Sequence, residues 1–294
     1  MNKMLCLGTA KLGMPNYGYS KNKSKLIDKE KFILESLEAG VYCLDTSPRY
    51  GNSEEIVGNA LKDINKKPLI STKIDKLKFG NNMTVIDMEK SIRFSVEKIG
   101  VESIDICYLH QNEINILSDQ YVHDGIKNLK HKGLVSSVGA SVYSKEELEY
   151  VIQSNMFDWV QVPVNILDTS FYNCIVNSGS KIKVAARSIY LQGILFDRNA
   201  IYRNIAHNKD LIKSLNVLDD VCKTYEIDFI DLTMSYLSSL KNLSSIIVGT
   251  TSIDNLKKNI NGMDVTLSNE LIMVIGEISA KEKSWTNPRC WDSL

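Results

Sequence analysis

Eight short apolar runs, separated by amphipathic segments of helical length, constrain this chain more tightly than any other feature of it. The runs fall at Leu5-Leu7, Val41-Leu44, Leu69-Ser71, Ile104-Leu109, Val135-Val138, Trp159-Val162, Lys183-Ala186 and Ile246-Val248. Most are continuous rather than alternating, as parallel strands covered on both sides should be. The intervening segments carry helix punctuation. Asp28 to Ala39 is followed by Gly40, Asp87 to Ile99 stops at Gly100, and Tyr121 to Lys132 stops at Gly133. Further helices are expected at Ser53 to Leu61, Ser144 to Gln153, Leu167 to Asn177, Asp210 to Tyr225, Phe229 to Leu240, Ile253 to Ile260 and Asn269 to Lys283.

A strand-helix unit repeated in this way, without an early Gly-x-Gly-x-x-Gly, favours a closed (β/α)8 TIM barrel over a doubly wound sheet. No Pro/Ser-rich linker or shift in composition divides the chain, so a single domain over residues 1–294 is expected. The stretch Ile189 to Asn208 is the longest without clear periodicity, and a loop of the substrate-lid kind is expected there.

Charge narrows the possible partners. Lys+Arg 35 against Asp+Glu 35 gives no net charge, and hence no electrostatic footprint for nucleic acid or an anionic membrane. No run is long enough for a signal peptide or a membrane span, so a cytoplasmic protein acting on a small molecule is expected, as a monomer or weak homo-oligomer. The six cysteines are scattered singly, with no Cys-x-x-Cys and no histidine at ligand spacing, so no metal site is expected. Cys6, Cys43 and Cys107 lie inside strand-like runs and read as buried thiols, and Cys290 as an exposed one.

Chemistry gathers where three consecutive runs end. The second hands over Asp45 and then Tyr50, in Leu44-Asp45-Thr46-Ser47-Pro48-Arg49-Tyr50-Gly51-Asn52-Ser53-Glu54-Glu55; the third carries Lys73 and the fourth His110. In a barrel all four would face the C-terminal mouth. A free tyrosine has a pKa of about 10, so it is a poor acid at neutral pH unless a cation stabilises its phenolate. Lys73 could be that cation, Asp45 its counterion, and His110 a second hydrogen bond to a carbonyl oxygen. Each residue also has a plainer reading: Asp45 stabilising a turn, Tyr50 a half-buried loop aromatic, Lys73 a snorkelling surface side chain. Lys73 as a Schiff-base amine is a further reading, in which Asp45 and Tyr50 lack a clear role. His123, His131 and His207 read as surface residues.

Read in order, Gly8-Thr9-Ala10, Leu44-Asp45-Thr46 through Tyr50-Gly51-Asn52-Ser53-Glu54, Ser71-Thr72-Lys73, Tyr108-Leu109-His110, Val138-Gly139-Ala140-Ser141, Gln161-Val162-Pro163-Val164-Asn165 and Ile247-Val248-Gly249-Thr250-Thr251 resemble the aldo/keto reductase superfamily over nearly the whole chain. The resemblance implies a barrel oxidoreductase that takes a nicotinamide cofactor without a Rossmann domain and reduces an aldehyde or ketone. It implies Tyr50 as the general acid in a tetrad with Asp45, Lys73 and His110. Gly8, Thr9 and Asp45 also fall among the implied cofactor positions. Ser141 and Gln161 would bind the nicotinamide carboxamide, with Val142 standing where many members have Asn. Arg187 occupies the position of an aromatic that stacks on the ring, and Ser188, Gln192 and Gly193 resemble the loop around the pyrophosphate.

Gly249, Thr250, Thr251 and Ser252, opening the next helix, would hold the 2′-phosphate or ribose, with Asn259 near the adenine. Gly249 and Asn255 stand where relatives often have Lys and Arg; NADP(H) is favoured on family grounds and NAD(H) left open. The N-terminal hairpin of many relatives is mostly missing. The tail, Trp285 to Trp291, would lie near the barrel mouth, covering substrate or anchoring the terminus. Gly8 to Gly18 and Arg187 to Gly193 resemble bacterial members from polysaccharide and nucleotide-sugar gene clusters, which implies a sugar-derived carbonyl. The alternative is a cofactor-binding regulatory or scaffold protein of the same fold with little turnover.

Overall fold

In the computed structural model, which describes residues 3–18, 27–205, 209–279 and 285, eight parallel strands close into one ring in sequence order. They are Met4–Gly8 (β1), Cys43–Asp45 (β2), Leu69–Ile74 (β3), Ile104–Leu109 (β4), Val135–Ser141 (β5), Trp159–Pro163 (β6), Lys183–Arg187 (β7) and Leu243–Val248 (β8). The ring shuts where Met4 to Leu7 of β1 pair with Ser245 to Val248 of β8. Helices lie between successive strands, and their apolar faces pack on the outside of the barrel around Leu7, Leu44, Ile70, Val160 and Ile246. Inside the barrel, Tyr108, Ile106, Trp159 and Ala185 form a separate cluster. Burial on both faces explains the continuous apolar runs.

Helix starts follow local capping chemistry. Asp28 accepts from Lys31 N at 3.0 Å, and Ser144 and Glu147 cap each other's backbone at the head of Lys145–Ser154. Ser252 caps Ile253–Asp264 in the same way, accepting from Asn255 N at 3.3 Å.

Several boundaries differ from expectation. β2 begins at Cys43 rather than Val41, and β3 and β5 run further, to Ile74 and Ser141. The helix expected from Leu167 begins at Ser170, because Asn165 Oδ1 accepts from Leu167 N at 2.9 Å and closes a turn first. Two four-residue helices, Ala10–Gly13 and Ile114–Leu117, are too short to leave a periodic signal. The expected lid loop is instead built: short turns over Leu191–Phe196 kinked at Gln192 and Gly193, and a helix over Arg198–Asn204, capped by Asp197. Ile189, Leu191, Ile194, Leu195 and Ile201 are buried there, which ties that segment down on the barrel.

Cys6, Cys43 and Cys107 are buried. His131 is exposed, but His123 is half-buried, its Nε2 2.8 Å from the Leu117 carbonyl. Trp285 is buried in the main core rather than in the active-site cavity described below. The rest of the tail, with Cys290 and Trp291, and His207 lie outside the described residues. Among the described residues, no helix is long and apolar enough to cross a membrane.

Candidate active site

The turn that carries Tyr50 is clamped from below. Thr9, Thr46 and Ser53 are fully buried, and their hydroxyls meet: Thr9 Oγ1 lies 2.6 Å and Thr46 Oγ1 3.0 Å from Ser53 Oγ. Thr9 Oγ1 also donates to the Asp45 carbonyl at 3.0 Å. The turn and the loop after β1 touch backbone to backbone. A Cβ on Gly13 would fall 1.7 Å from the Tyr50 carbonyl oxygen, and one on Gly51, at φ 58°, 2.4 Å from the Gly13 oxygen. Only glycine permits this approach.

On that base stands an ion pair. Lys73 Nζ donates to Asp45 Oδ2 at 2.8 Å and to the Thr46 carbonyl at 2.9 Å, with both side chains at most 5% exposed. Asp45 Oδ1 accepts from Ser71 Oγ at 2.9 Å and from Gln161 Nε2 at 3.1 Å. A buried carboxylate with this many donors is satisfied. Burial alone would lower the Lys73 ammonium, but Asp45 overrides it, and Lys73 titrates above its ordinary value. The ammonium lies 4.9 Å from the centroid of the Tyr50 ring.

Sequence reasoning expects Lys73 to make Tyr50 more acidic. Burial is instead the larger influence and raises the Tyr50 hydroxyl, with Lys73 partly offsetting it. The phenol is therefore protonated at neutral pH, the form from which an acid must start. His110 meets the Tyr50 ring edge-on, centroids 6.2 Å apart, and its backbone N–H is held by the Ile74 carbonyl at 2.9 Å. Burial, helped by the Lys73 charge, lowers the imidazole to about 4, so it is neutral at pH 7, and its Nδ1 is buried without a partner.

The tetrad opens into a cavity of about 670 Å³, of the size that holds small ligands. Gly8, Ser141, Gln161, Arg187, Ser188, Gln192, Gly193, Gly249, Thr250, Asn255 and Asn259 all line it with Asp45, Tyr50, Lys73 and His110. Thr9, Thr251 and Ser252 do not. Thr9 is spent on the hydroxyl cluster, Ser252 caps its helix, and Thr251 sits in the turn that Thr250 closes by accepting from Ser252 N at 3.2 Å. Ser188, Leu191 and Gln192 hold left-handed backbone at φ 57°, 47° and 56°, a conformation concentrated at functional sites.

Several lining residues are not foreseen from sequence. Tyr17 packs 6.3 Å from the Tyr50 ring, and Arg49 pairs with Asp75 at 3.1 Å. Tyr143 lies beneath the Arg187 guanidinium, and Lys11 is half-buried at the rim. At the far end Tyr190 donates to Asn259 Oδ1 at 2.7 Å, and Phe196 packs 5.0 Å from the Tyr190 ring. The place of Tyr143, two residues past Ser141 at a strand end, was the one available signal; Lys11, in a four-residue helix, and Tyr17, in the irregular segment after it, had none.

A closed parallel barrel with these four side chains at the C-terminal mouth limits the possibilities, and a family model decides among them: that of the Aldo/keto reductase family matches residues 4–280. The chain belongs to the aldo/keto reductase family. It is an NAD(P)H-dependent oxidoreductase. This aldo/keto reductase is 23% identical over 269 residues to the NADH-specific methylglyoxal reductase of Escherichia coli, covering 80% of this chain and 82% of that protein. It is 24% identical over 242 residues to L-galactose dehydrogenase of Arabidopsis thaliana, covering 78% and 75%. The fold matches an aldo/keto reductase from Brucella melitensis with a TM-score of 0.68 at 18% identity, over 94% of each chain. It also matches a Bombyx mori aldo/keto reductase in complex with NADP with a TM-score of 0.70 at 19% identity, over 95% of this chain and 90% of that one.

Proposed function

We propose that this aldo/keto reductase reduces an aldehyde or ketone of a sugar-like substrate to the alcohol, with Tyr50 as the proton donor. The observation that carries the reading is the buried Lys73–Asp45 pair beside the Tyr50 ring. Tyr50 gives its proton to the substrate oxygen, and the Lys73 ammonium stabilises the phenolate as it forms. Asp45 fixes that ammonium and offsets the cost of burying it. Neutral His110 offers a hydrogen bond to the same oxygen without competing as a proton source.

The residues present fit a nicotinamide cofactor: the cavity is long enough to run from the tetrad to Asn259, and Ser141 and Gln161 put a hydroxyl and an amide beside the tetrad for a carboxamide. When bound, that group supplies the hydride. Gln192 and Gly193 would flank the pyrophosphate, and Thr250, Asn255 and Asn259 the adenosine. No lysine or arginine lines the cavity beside Gly249, Asn255 and Asn259 among the described residues. Burial, reinforced by the Asp228 and Asp231 carboxylates, raises the Tyr190 hydroxyl that holds Asn259. Neutral Gly249 and Asn255 in place of the Lys and Arg of many relatives favour NAD(H) over the NADP(H) expected on family grounds. Tyr17 offers an aromatic face, and the Arg49–Asp75 pair hydrogen-bonding groups, suited to a polyhydroxylated substrate.

The test is oxidation of NADH and NADPH by the purified protein across a panel of sugar aldehydes, ketoses and small dicarbonyls. Turnover by the native protein and none by Tyr50→Phe, with coenzyme binding retained, is expected. Substantial activity in Tyr50→Phe removes Tyr50 as the acid, and coenzyme binding with no turnover on any carbonyl leaves a binding protein instead.

A further inference from the structure

Arg187 reaches across a strand to which it does not belong. It ends β7, yet its Nη2 donates at 2.9 Å to the carbonyl of Val142, just past the end of β5. β6 lies between these strands, so the side chain crosses above the C-terminal end of β6. Tyr143 supports it, with the guanidinium carbon 3.9 Å from the ring centroid, and Nη1 lies 3.4 Å from Ser188 Oγ. These contacts are to a neutral carbonyl, a neutral ring and a hydroxyl. Among the described residues no carboxylate pairs with Arg187, and its Nε is buried with no partner. Among the described residues, then, Arg187 is a fixed cation of the cavity with no carboxylate beside it.

Its place matters because of what lies beside it. The strand it crosses carries Gln161, in register with Ser141 of β5 and bonded to Asp45. A hydride donor must bring its reacting carbon to within about 3–3.5 Å of the carbonyl carbon, whose oxygen lies within reach of Tyr50. The reacting ring therefore belongs in the chamber between Tyr50 and His110 on one side and Arg187 with Tyr143 on the other. The Arg187 charge reaches that chamber, since it acts on the hydroxyl of Tyr17, whose ring neighbours that of Tyr50.

We propose that Arg187 is a redox-state selector: its positive charge, held over the Tyr143 ring, favours the neutral reduced nicotinamide over the cationic oxidised one. A like charge placed against a ring in a partly water-excluded site disfavours the charged form far more than it would in bulk water. The oxidised coenzyme then leaves readily, and the site fills with the reduced form when both are present. This inference rests on the function proposed above.

The experiment is a fluorescence or calorimetric titration of the full chain with NADH, NAD+, NADPH and NADP+, with no substrate present. The native protein is expected to bind the reduced form of its preferred coenzyme at least about tenfold more tightly than the oxidised form. Arg187→Met, which removes the charge and keeps the length, is expected to narrow that ratio by about tenfold, chiefly through tighter binding of the oxidised form. Arg187→Lys keeps the charge and most of the ratio. A merely structural role would weaken both forms alike and leave the ratio unchanged in Arg187→Met, which overturns the inference while leaving the proposed function intact. Failure of the native protein to bind any of the four coenzymes overturns the proposed function, and this inference with it.

Discussion

Lys73 and Asp45 meet at 2.8 Å with their side chains 1% and 5% exposed, an ion pair sealed within the head of the barrel directly under the phenol that is proposed to give up a proton. Sealing makes the pair asymmetric towards mutation. Deleting one partner strands the other charge, whereas deleting both removes the problem.

Asp45→Asn is therefore expected to lose about 3–5 kcal/mol of stability, and Asp45→Asn combined with Lys73→Met less than the sum of the two single changes. Urea unfolding of the four proteins measures the coupling; additive losses would show that the pair is not energetically buried. All three variants should lack turnover.

His110 gives a pH signature. Its folded value, lowered to about 4, lies below the ordinary histidine value of 6.5, so the unfolded chain takes up this proton first. The stability linked to His110 is complete above about pH 6.5, falls as pH drops, and is gone below about pH 4. On the order of 2–3 kcal/mol is at stake in that window. His110→Gln should flatten the stability profile between those limits, as measured by chemical denaturation at stepped pH. An unchanged slope would show that His110 titrates normally.

Gly13→Ala tests the clamp under Tyr50. With its Cβ directed at the Tyr50 carbonyl, the variant is expected to cost about 1–3 kcal/mol and to displace the Tyr50 turn. Thermal melting and single-turnover reduction report the two effects separately. Wild-type turnover in a folded variant would mean that the turn accommodates the methyl group.

Asn255→Arg with Gly249→Lys places two cations at the adenosine end. The NADPH to NADH affinity ratio is expected to rise by at least about tenfold in equilibrium titration. No change would show that the adenosine phosphate is read elsewhere.

The four residues were legible because Asp45, Lys73 and His110 lie at or just past strand ends and Tyr50 in the turn after one, and strands were marked by apolar runs that burial on both faces makes continuous. Lys73 and Ser141 sit on those ends, and the cavity collects them as expected. What escaped notice lies where local rules have no period. Lys11 lies in a four-residue helix and Tyr17 just past it, and the supposed lid after Arg187 is short turns whose apolar residues face the core irregularly. Thr9, Thr251 and Ser252 fell in the right motifs but lie off the cavity; Thr9 and Ser252 serve neighbouring atoms, since a hydroxyl next to a turn or helix start is claimed locally before any ligand arrives. The acidity of Tyr50 also needed the structure, because burial and the nearby cation oppose each other and only geometry weighs them.

The interlock of Gly13 with Gly51 has a consequence for anyone wishing to transplant this chemistry. The Tyr50 turn is one half of a two-piece part whose other half was translated some forty residues earlier. Grafting residues 45–55 onto another barrel would import Tyr50 without its seat. The portable unit is both loops together, exchanged with the first two strands that bear them.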